Sequence, residues 1–439
     1  MLLRSLFVFN INDHNQHLLC NLWFDSQCFQ TVSEVKGTGV IKSRGHVIWC
    51  SLLHNRVLVK QLHPQMDLES ADTRKSDKLK FLTEGQVLTE TGSSPHLIHF
   101  LDQEDTPLTK ATMETLSHLV LASALLLAAF AVIRWYIRDS QRVGGFGQRH
   151  VLITGCDSGF GNLLARQLDR KVVHVIAACL TEKGAADLAA AASSRLKTLL
   201  LDVTDSESIR RAVEFVSREV GERGLWGLVN NAGRSIPIGP IEWMDLQDFT
   251  KVLDVNLIGV IEVTLQTLPL LKKAQGRVVN VSSILGRLSM IGGGYCLSKF
   301  GVQAFSDSLR KDMKAFGVKV SIIEPGFFKT AVTRLDLIEA DLGRLWTRLP
   351  QDVQASYGAT YLEEYLKAQS FSMGLLCSPD LSKVTRCMEH ALTARFPRAR
   401  YSAGWDAKLL WIPLSYLPSF VSDFVINMLL PSPKDTREI

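Results

Sequence analysis

The sequence predicts an α/β fold: a doubly wound parallel sheet forming a single domain, preceded by a long apolar helix and an N-terminal extension. Three observations predict it. From residue 149 onward, short β-like runs alternate with helix-like stretches. A glycine-rich turn joins the first of those runs to the first helix. Just upstream, residues 116–133 form an apolar stretch of 18 residues whose only polar members are His118 and two serines.

The chain of 439 residues divides into four segments: 1–112, 113–148, 149–408 and 409–439. Residues 1–112 show neither a helical nor a strand period and carry no motif. They read as a disordered extension or as upstream sequence translated in error, with Met113 opening a complete protein; a regulatory domain is the alternative. At 1.5 Å per residue, the run 116–133 approaches the thickness of a bilayer's hydrocarbon core. Trp135 and Tyr136 follow where an aromatic belt would lie, then Arg134, Arg138, Arg142 and Arg149 flank the run on its C-terminal side. No small-x-small cleavage site precedes Arg134, so the segment reads as a retained signal anchor with the following domain facing the cytosol.

Strands are expected at 150–154, 172–179, 198–203, 227–230, 277–282 and 319–324, and helices at 162–169, 185–192 and 206–220. Residues 409–430 are again apolar, but Pro413, Pro418 and Asp423 interrupt them, so they read as a segment lying on a membrane surface. The net charge of +5, from 49 Lys and Arg against 44 Asp and Glu, is too mild for nucleic-acid binding. The eight cysteines form no C-x-x-C or paired Cys/His spacing, so no metal site is expected and the cysteines read as thiols.

Thr154-Gly155-Cys156-Asp157-Ser158-Gly159-Phe160-Gly161 stands at a strand-to-helix junction. Glycines there let backbone approach a pyrophosphate, and the helix N-terminus offers free N–H donors. Further motifs follow in order: Asp202, Asn230-Asn231-Ala232-Gly233, Asn256, Ser282-Ser283, Tyr295-x-x-x-Lys299, and Pro325-Gly326 with Thr330 behind it. The T-G-x-x-x-G-x-G spacing together with this series resembles the short-chain dehydrogenase/reductase family, and so implies a Rossmann-type catalytic domain over 149–408. Gly224 to Gly233, Gly292 to Cys296 and Tyr401 to Lys408 are similar to the branch of microsomal retinol and hydroxysteroid dehydrogenases. Asn280-Val281-Ser282 fits a glycosylation sequon but falls in an expected central strand.

The resemblance implies a role for each residue. Thr154, Gly155, Asp157, Ser158, Gly159, Phe160 and Gly161 would form the cofactor's phosphate turn, and Asp202 would meet the adenine ring. Asn230, Ala232 and Gly233 would flank the cofactor, with Pro325, Gly326 and Thr330 beside its nicotinamide. Asn256 would hold a proton-relaying water, and Lys299 would bind the nicotinamide ribose. Physical chemistry adds the rest. Oxidising an alcohol removes a proton from oxygen and a hydride from carbon. A free tyrosine, with a pKa of about 10, is a poor base at neutral pH. Lys299 lies one helical turn from Tyr295, so its charge, with that of the oxidised nicotinamide, is expected to favour the phenolate. Tyr295 is then the base, and Ser283 steadies the substrate oxygen. Ser283 precedes Tyr295 by 12 residues and Ser282 by 13, so Ser282 is the alternative.

A 2′-phosphate needs a cation in the glycine motif or just after the second strand. Here stands Asp157, and the strand ends Cys179-Leu180-Thr181, with Glu182 where a ribose ligand is often found. Arg166 and Lys183 stand nearby but off the usual position. The cofactor expected is NAD, and the direction oxidation; an NADP-linked reductase is the alternative. A non-catalytic scaffold would have lost Tyr or Lys, and both are present. The substrate expected is a bulky apolar alcohol, a retinol or a hydroxysteroid. Apolar residues at 331–376, among them Leu335, Leu337, Ile338, Leu342, Leu345, Trp346, Tyr357, Tyr361, Phe371 and Met373, would cover the cleft, most of them packing that cover onto the core. The resemblance also implies an endoplasmic reticulum membrane, contact with its lipid, and leaves a homodimer open.

Overall fold

The computed structural model describes residues 39–43, 46–53, 56–62 and 107–434. The chain falls into two units, Met1–Gln103 and Glu104–Ile439. In the first unit, strands β1 (Gly39–Ser43), β2 (His46–Leu53) and β3 (Arg56–Leu62) pair antiparallel in that order. Sequence periodicity did not disclose them. The expectation of disorder over 1–112 otherwise lies outside the described residues.

The second unit opens with α1 (Pro107–Ser140), which starts upstream of Met113. Its stretch Thr115–Ser140 is long and apolar enough to cross a membrane, and none of its most apolar window is buried. Leu246–Ala274 meets the same measure of length and composition, but it packs into the domain and is partly buried.

Strands β4 (His150–Thr154), β5 (His174–Cys179), β6 (Lys197–Leu200), β7 (Gly227–Asn230), β8 (Arg277–Val281), β9 (Lys319–Pro325) and β10 (Arg400–Ala403) form one seven-stranded sheet, all parallel, in the order β10-β9-β8-β7-β4-β5-β6. Six of these were expected; β10 was not, because its four residues carry two polar side chains and no β-branched one.

Alternation along the strands builds two apolar layers. Val151 and Ile153 of β4 turn to one face, under α2 (Gly159–Arg170), α3 (Glu182–Ala190) and, further along the chain, 382–393. Leu152 turns to the other, under α4 (Ser206–Val220) and two helices that follow. Those are α6 (Gly259–Ala274), which α5 (Leu246–Leu253) precedes, and α7 (Gly294–Asp312). Each fully buried Val, Leu or Ile contributes about 1.5–3 kcal/mol.

Helices α8 (Leu335–Arg348), α9 (Gln351–Tyr357) and α10 (Tyr361–Leu376) leave the end of β9 and pack on Trp243. Ile338, Leu342, Leu345 and Tyr361 are buried in this packing, while Leu337 and Phe371 stay exposed. After α11 (Ser382–Thr393) and β10 come two short helices, α12 (Ile412–Leu414) and α13 (Ser419–Asn427). Both are too short to span a bilayer. Trp411 and Leu414 are buried, whereas Tyr416, Phe420, Phe424 and Met428 are exposed.

Candidate active site

Strand order reverses at β4, which has β5 on one side and β7 on the other. In such sheets the crevice beyond the strand C-termini, at that reversal, is where ligands bind. The turns after β4, β7, β8 and β9 all open there.

After β4, the glycine turn enters α2. Gly155 has a φ of +68°, and a Cβ on it would lie 2.7 Å from the Ala232 Cα, so no larger residue fits. Asn231, in the motif but without an assigned role, fixes this approach: its Nδ2 donates to the carbonyls of Thr154 and Gly155 at 2.9 and 3.0 Å. At Gly159, φ is +61° and a Cβ would only touch Thr330, at 3.8 Å. No side chain caps the N-terminus of α2. Its N–H donors thus face the groove, and the cradle fits a dinucleotide pyrophosphate.

Thr154 and Asn230 lie beneath this groove. The buried Thr154 hydroxyl accepts from the N–H groups of Asn231 and Ala232. Asn230 Nδ2 donates to Thr264 Oγ1 and Asn280 Oδ1, both at 2.8 Å. Their side chains tie strands together beneath the groove. Phe160 packs edge-on against Phe328, with ring centroids 5.7 Å apart. Asn280 is fully buried in the same tie, where no glycan fits.

Asp157 accepts from the N–H groups of Leu180 and Thr181 at 2.8 and 2.9 Å and from the Thr181 hydroxyl at 2.7 Å. Burial opposes its charge, but these three bonds together hold the carboxyl below its ordinary range. It stays ionised between the glycine turn and the β5–α3 turn. Lys183 is paired with Asp187 at 2.5 Å, and Arg166 is exposed. Asp202, past β6, is exposed and receives the N–H and hydroxyl of Thr204.

Between α5 and α6 the chain makes a π-type turn, Asp254–Ile258. Such turns gather at functional sites. This one carries Asn256, fully buried: Oδ1 accepts from Arg234 N–H, and Nδ2 donates to the Arg234 carbonyl and to Ser298 Oγ. It clamps the segment after Gly233, and the Cβ position of Gly233 lies 3.3 Å from Asn256 Oδ1 and 3.8 Å from Lys299 Nζ.

Helix α7 carries Tyr295, Ser298 and Lys299. The Ser283 hydroxyl accepts from Leu285 N–H at 3.1 Å and lies near enough to Tyr295 to pull its hydroxyl's pKa down. Ser282, the alternative, turns away and donates to the Lys299 carbonyl at 3.0 Å. Lys299 donates to the Val281 carbonyl at 2.9 Å, with its Nζ 5.6 Å from the Tyr295 ring centroid. Burial pushes the Tyr295 hydroxyl up to about 12, against a smaller downward pull from Ser283. Burial also draws the Lys299 ammonium down to about 8. These directions describe the protein alone; the lowering expected of Tyr295 involves Lys299 together with the charge of an oxidised nicotinamide.

At the end of β9, Pro325 is buried, and Gly326 just after it packs directly on Asp406. A Cβ on Gly326 would lie 2.1 Å from Asp406 Oδ2, which accepts from Phe327 N–H at 2.8 Å. Asp406 is 1% exposed and burial pushes its carboxyl up. Sequence reasoning gave it no role, although it stands in the quoted stretch Tyr401 to Lys408. Beside it, Glu324 is buried and pairs with Arg287 at 2.6 Å and Arg400 at 3.2 Å. Arg287 in turn donates to the Tyr416 hydroxyl at 3.0 Å.

Tyr295 sits where two apolar clusters meet. One holds Trp243 with Ile338, Leu342, Tyr361, Leu366 and Met373 from the covering helices. The other holds Ile284, Leu285, Trp411, Leu414 and Val421. Among the described residues, no group of three or more His, Cys, Asp or Glu converges as a metal site would.

Residues 149–337 match the family model "short chain dehydrogenase". The chain is 59% identical to retinol dehydrogenase 7 of Rattus norvegicus over 289 residues, covering 66% of this chain and 91% of that protein. It is 56% identical to retinol dehydrogenase 5 of Homo sapiens over 309 residues, 70% of this chain and 97% of that one. It is 57% identical to retinol dehydrogenase 16 of Mus musculus over 301 residues, 69% and 94%.

Proposed function

From the premise that this chain belongs to the short-chain dehydrogenase family, an oxidoreductase family with a nicotinamide cofactor, we propose that it oxidises the hydroxyl of a retinoid alcohol to the aldehyde with NAD. The observation that carries the reading is Tyr295 at the junction of two apolar clusters, with Lys299 Nζ 5.6 Å from its ring centroid and Ser283 nearby. It combines a proton-handling group with walls that suit a long hydrocarbon.

Tyr295 takes the substrate's hydroxyl proton while Ser283 hydrogen-bonds the same oxygen and steadies its charge. A bound NAD would supply the hydride acceptor and a positive charge. Lys299 adds a second positive charge on the same helix face, and both favour the phenolate that burial alone disfavours. Asn256 fixes the backbone of Arg234, and with it the turn that flanks Lys299. The groove over Gly155, Gly159 and the uncapped end of α2 takes the pyrophosphate, with Asp202 toward the adenine and Pro325, Gly326 and Thr330 toward the nicotinamide. The ionised Asp157 favours NAD, since it repels a 2′-phosphate dianion.

Segment 113–148 is read as a signal anchor in the endoplasmic reticulum membrane, 149–408 as the catalytic domain on its cytosolic side, and 409–439 as resting on the lipid surface through Phe420 and Phe424. The exposure of the apolar face of α1 supports the anchor. The test is turnover by membranes carrying the full chain, offered all-trans-retinol and a 3α-hydroxysteroid, each with NAD and with NADP. Retinal formation favouring NAD at least about tenfold is expected, a preference of roughly 1.4 kcal/mol. Faster turnover with NADP, or of the steroid alone, would overturn the assignment.

A further inference from the structure

A second cleft, of about 580 Å³, opens on the edge of the sheet between α11, β10 and the residues after it. Its lining includes Lys383, Arg386, Arg398 and Lys408, with no carboxylate among the lining residues. Arg398 is offset by Asp139 at 2.6 Å, and Arg386 reaches Asp380 only at 3.9 Å, both of that pair well exposed. Lys383 and Lys408 have no carboxylate within ion-pair distance among the described residues. Converging cations with so little compensation repel one another, so the cleft's electrostatics favour an anion. The same lining carries Trp405 and Leu409, which are 49% and 76% exposed. A simple inorganic anion has no use for that apolar shelf; an amphiphile does.

Its place in the fold fits. The Arg398 guanidinium stacks on Trp135 of α1, 4.9 Å from the ring centroid, and Arg138 of α1 stacks on Phe396 at 4.5 Å. The cleft therefore adjoins the end of the membrane-length helix, at the depth where phosphate headgroups would lie. We propose that this cleft binds one anionic phospholipid, its phosphate held by Lys383, Arg386 and Lys408 and its glycerol and upper acyl chains lying on Trp405 and Leu409. The proposal rests on the reading of α1 as a membrane anchor but needs neither the retinoid nor the choice of NAD. A docked lipid would hold the domain at a fixed height and orientation on the bilayer.

The experiment uses the full chain purified in the uncharged detergent dodecyl maltoside, with equal dioleoyl phosphatidylglycerol and dioleoyl phosphatidylcholine added. Retained lipid is read by native mass spectrometry. One phosphatidylglycerol is expected per chain, in preference to phosphatidylcholine. Lys383→Gln with Lys408→Gln should weaken it about thirty-fold, from about fivefold per lysine removed. Both lysines lie on the surface, so melting temperature and alcohol turnover should stay at wild-type values. Equal retention of the two lipids, equal retention by the double variant, or displacement by excess inorganic phosphate would each overturn the proposal. Carbonate extraction of native membranes reads the anchor separately. Chain released by carbonate while phosphatidylglycerol retention persists would sink the anchor reading and leave the site standing.

Discussion

Gly326→Ala tests the contact that sets the loop beside the nicotinamide position. The new Cβ would stand 2.1 and 2.2 Å from the two Asp406 carboxylate oxygens. Asp406 cannot retreat freely, because it is buried and Gly404 packs on its other side, where a Cβ would lie 2.4 Å from Oδ1. Overpacking of this kind costs roughly 1–3 kcal/mol. The bond from Phe327 N–H is lost with it, for about another 1–3 kcal/mol as a buried donor goes unpaired. Asp406→Ala alone loses that bond, about 1–3 kcal/mol, and opens the space the methyl needs. The double variant should therefore be more stable than Gly326→Ala alone and fall short of the sum of the two losses by about 2–6 kcal/mol. Urea denaturation of the four proteins in detergent, followed by tryptophan fluorescence, measures the cycle, and NAD affinity should follow the same order. Additive losses would refute the steric argument.

Three further outcomes follow from the site. Ser283→Ala should cut turnover about 10²-fold with little loss of stability, while Ser282→Ala should cost about 1 kcal/mol of stability with a smaller kinetic effect; the reverse pattern would reassign the hydroxyl. Lys299 titrates near 10.5 when unfolded and near 8 in the fold, so the folded state loses its proton first. Stability should rise as pH climbs from about 8 toward 10.5, by up to about 3 kcal/mol, and Lys299→Met should flatten that rise. Tyr295, raised from 10 to about 12, works the other way above pH 10, so the cleanest comparison lies between pH 8 and 10. Trp411→Ala, emptying a site that is 1% exposed in the cluster shared with Tyr295, should cost about 3–5 kcal/mol and impair turnover, as measured by thermal denaturation and aldehyde formation.

The sheet was legible where strands are buried on both faces. The runs at 227–230 and 206–220 gave β7 and α4 to the residue, because Leu228-Val229 form a short apolar run between Gly227 and Asn230, and a 3.6 period marks the helix. β10 was hidden because an edge strand needs few apolar residues. The glycine turn, Asn256, Ser283 and the Tyr295/Lys299 pair were readable as ordered motifs. Asn231 and Asp406 were not assigned, since their work is to bond backbone from 76 and 79 positions away in sequence. No local spacing signals such a contact. The burial that raises Tyr295 and lowers Lys299 was not legible, because only the packed structure supplies it.

The most direct test of the account is single-turnover reduction of NAD by the full chain with all-trans-retinol, comparing wild type with Tyr295→Phe at matched, independently measured NAD affinity. The account predicts that the variant binds NAD as wild type does and forms retinal and NADH at least about 10²-fold more slowly, within the range general base catalysis supplies. Equal rates in the two proteins would contradict it, and would remove Tyr295 from the chemistry.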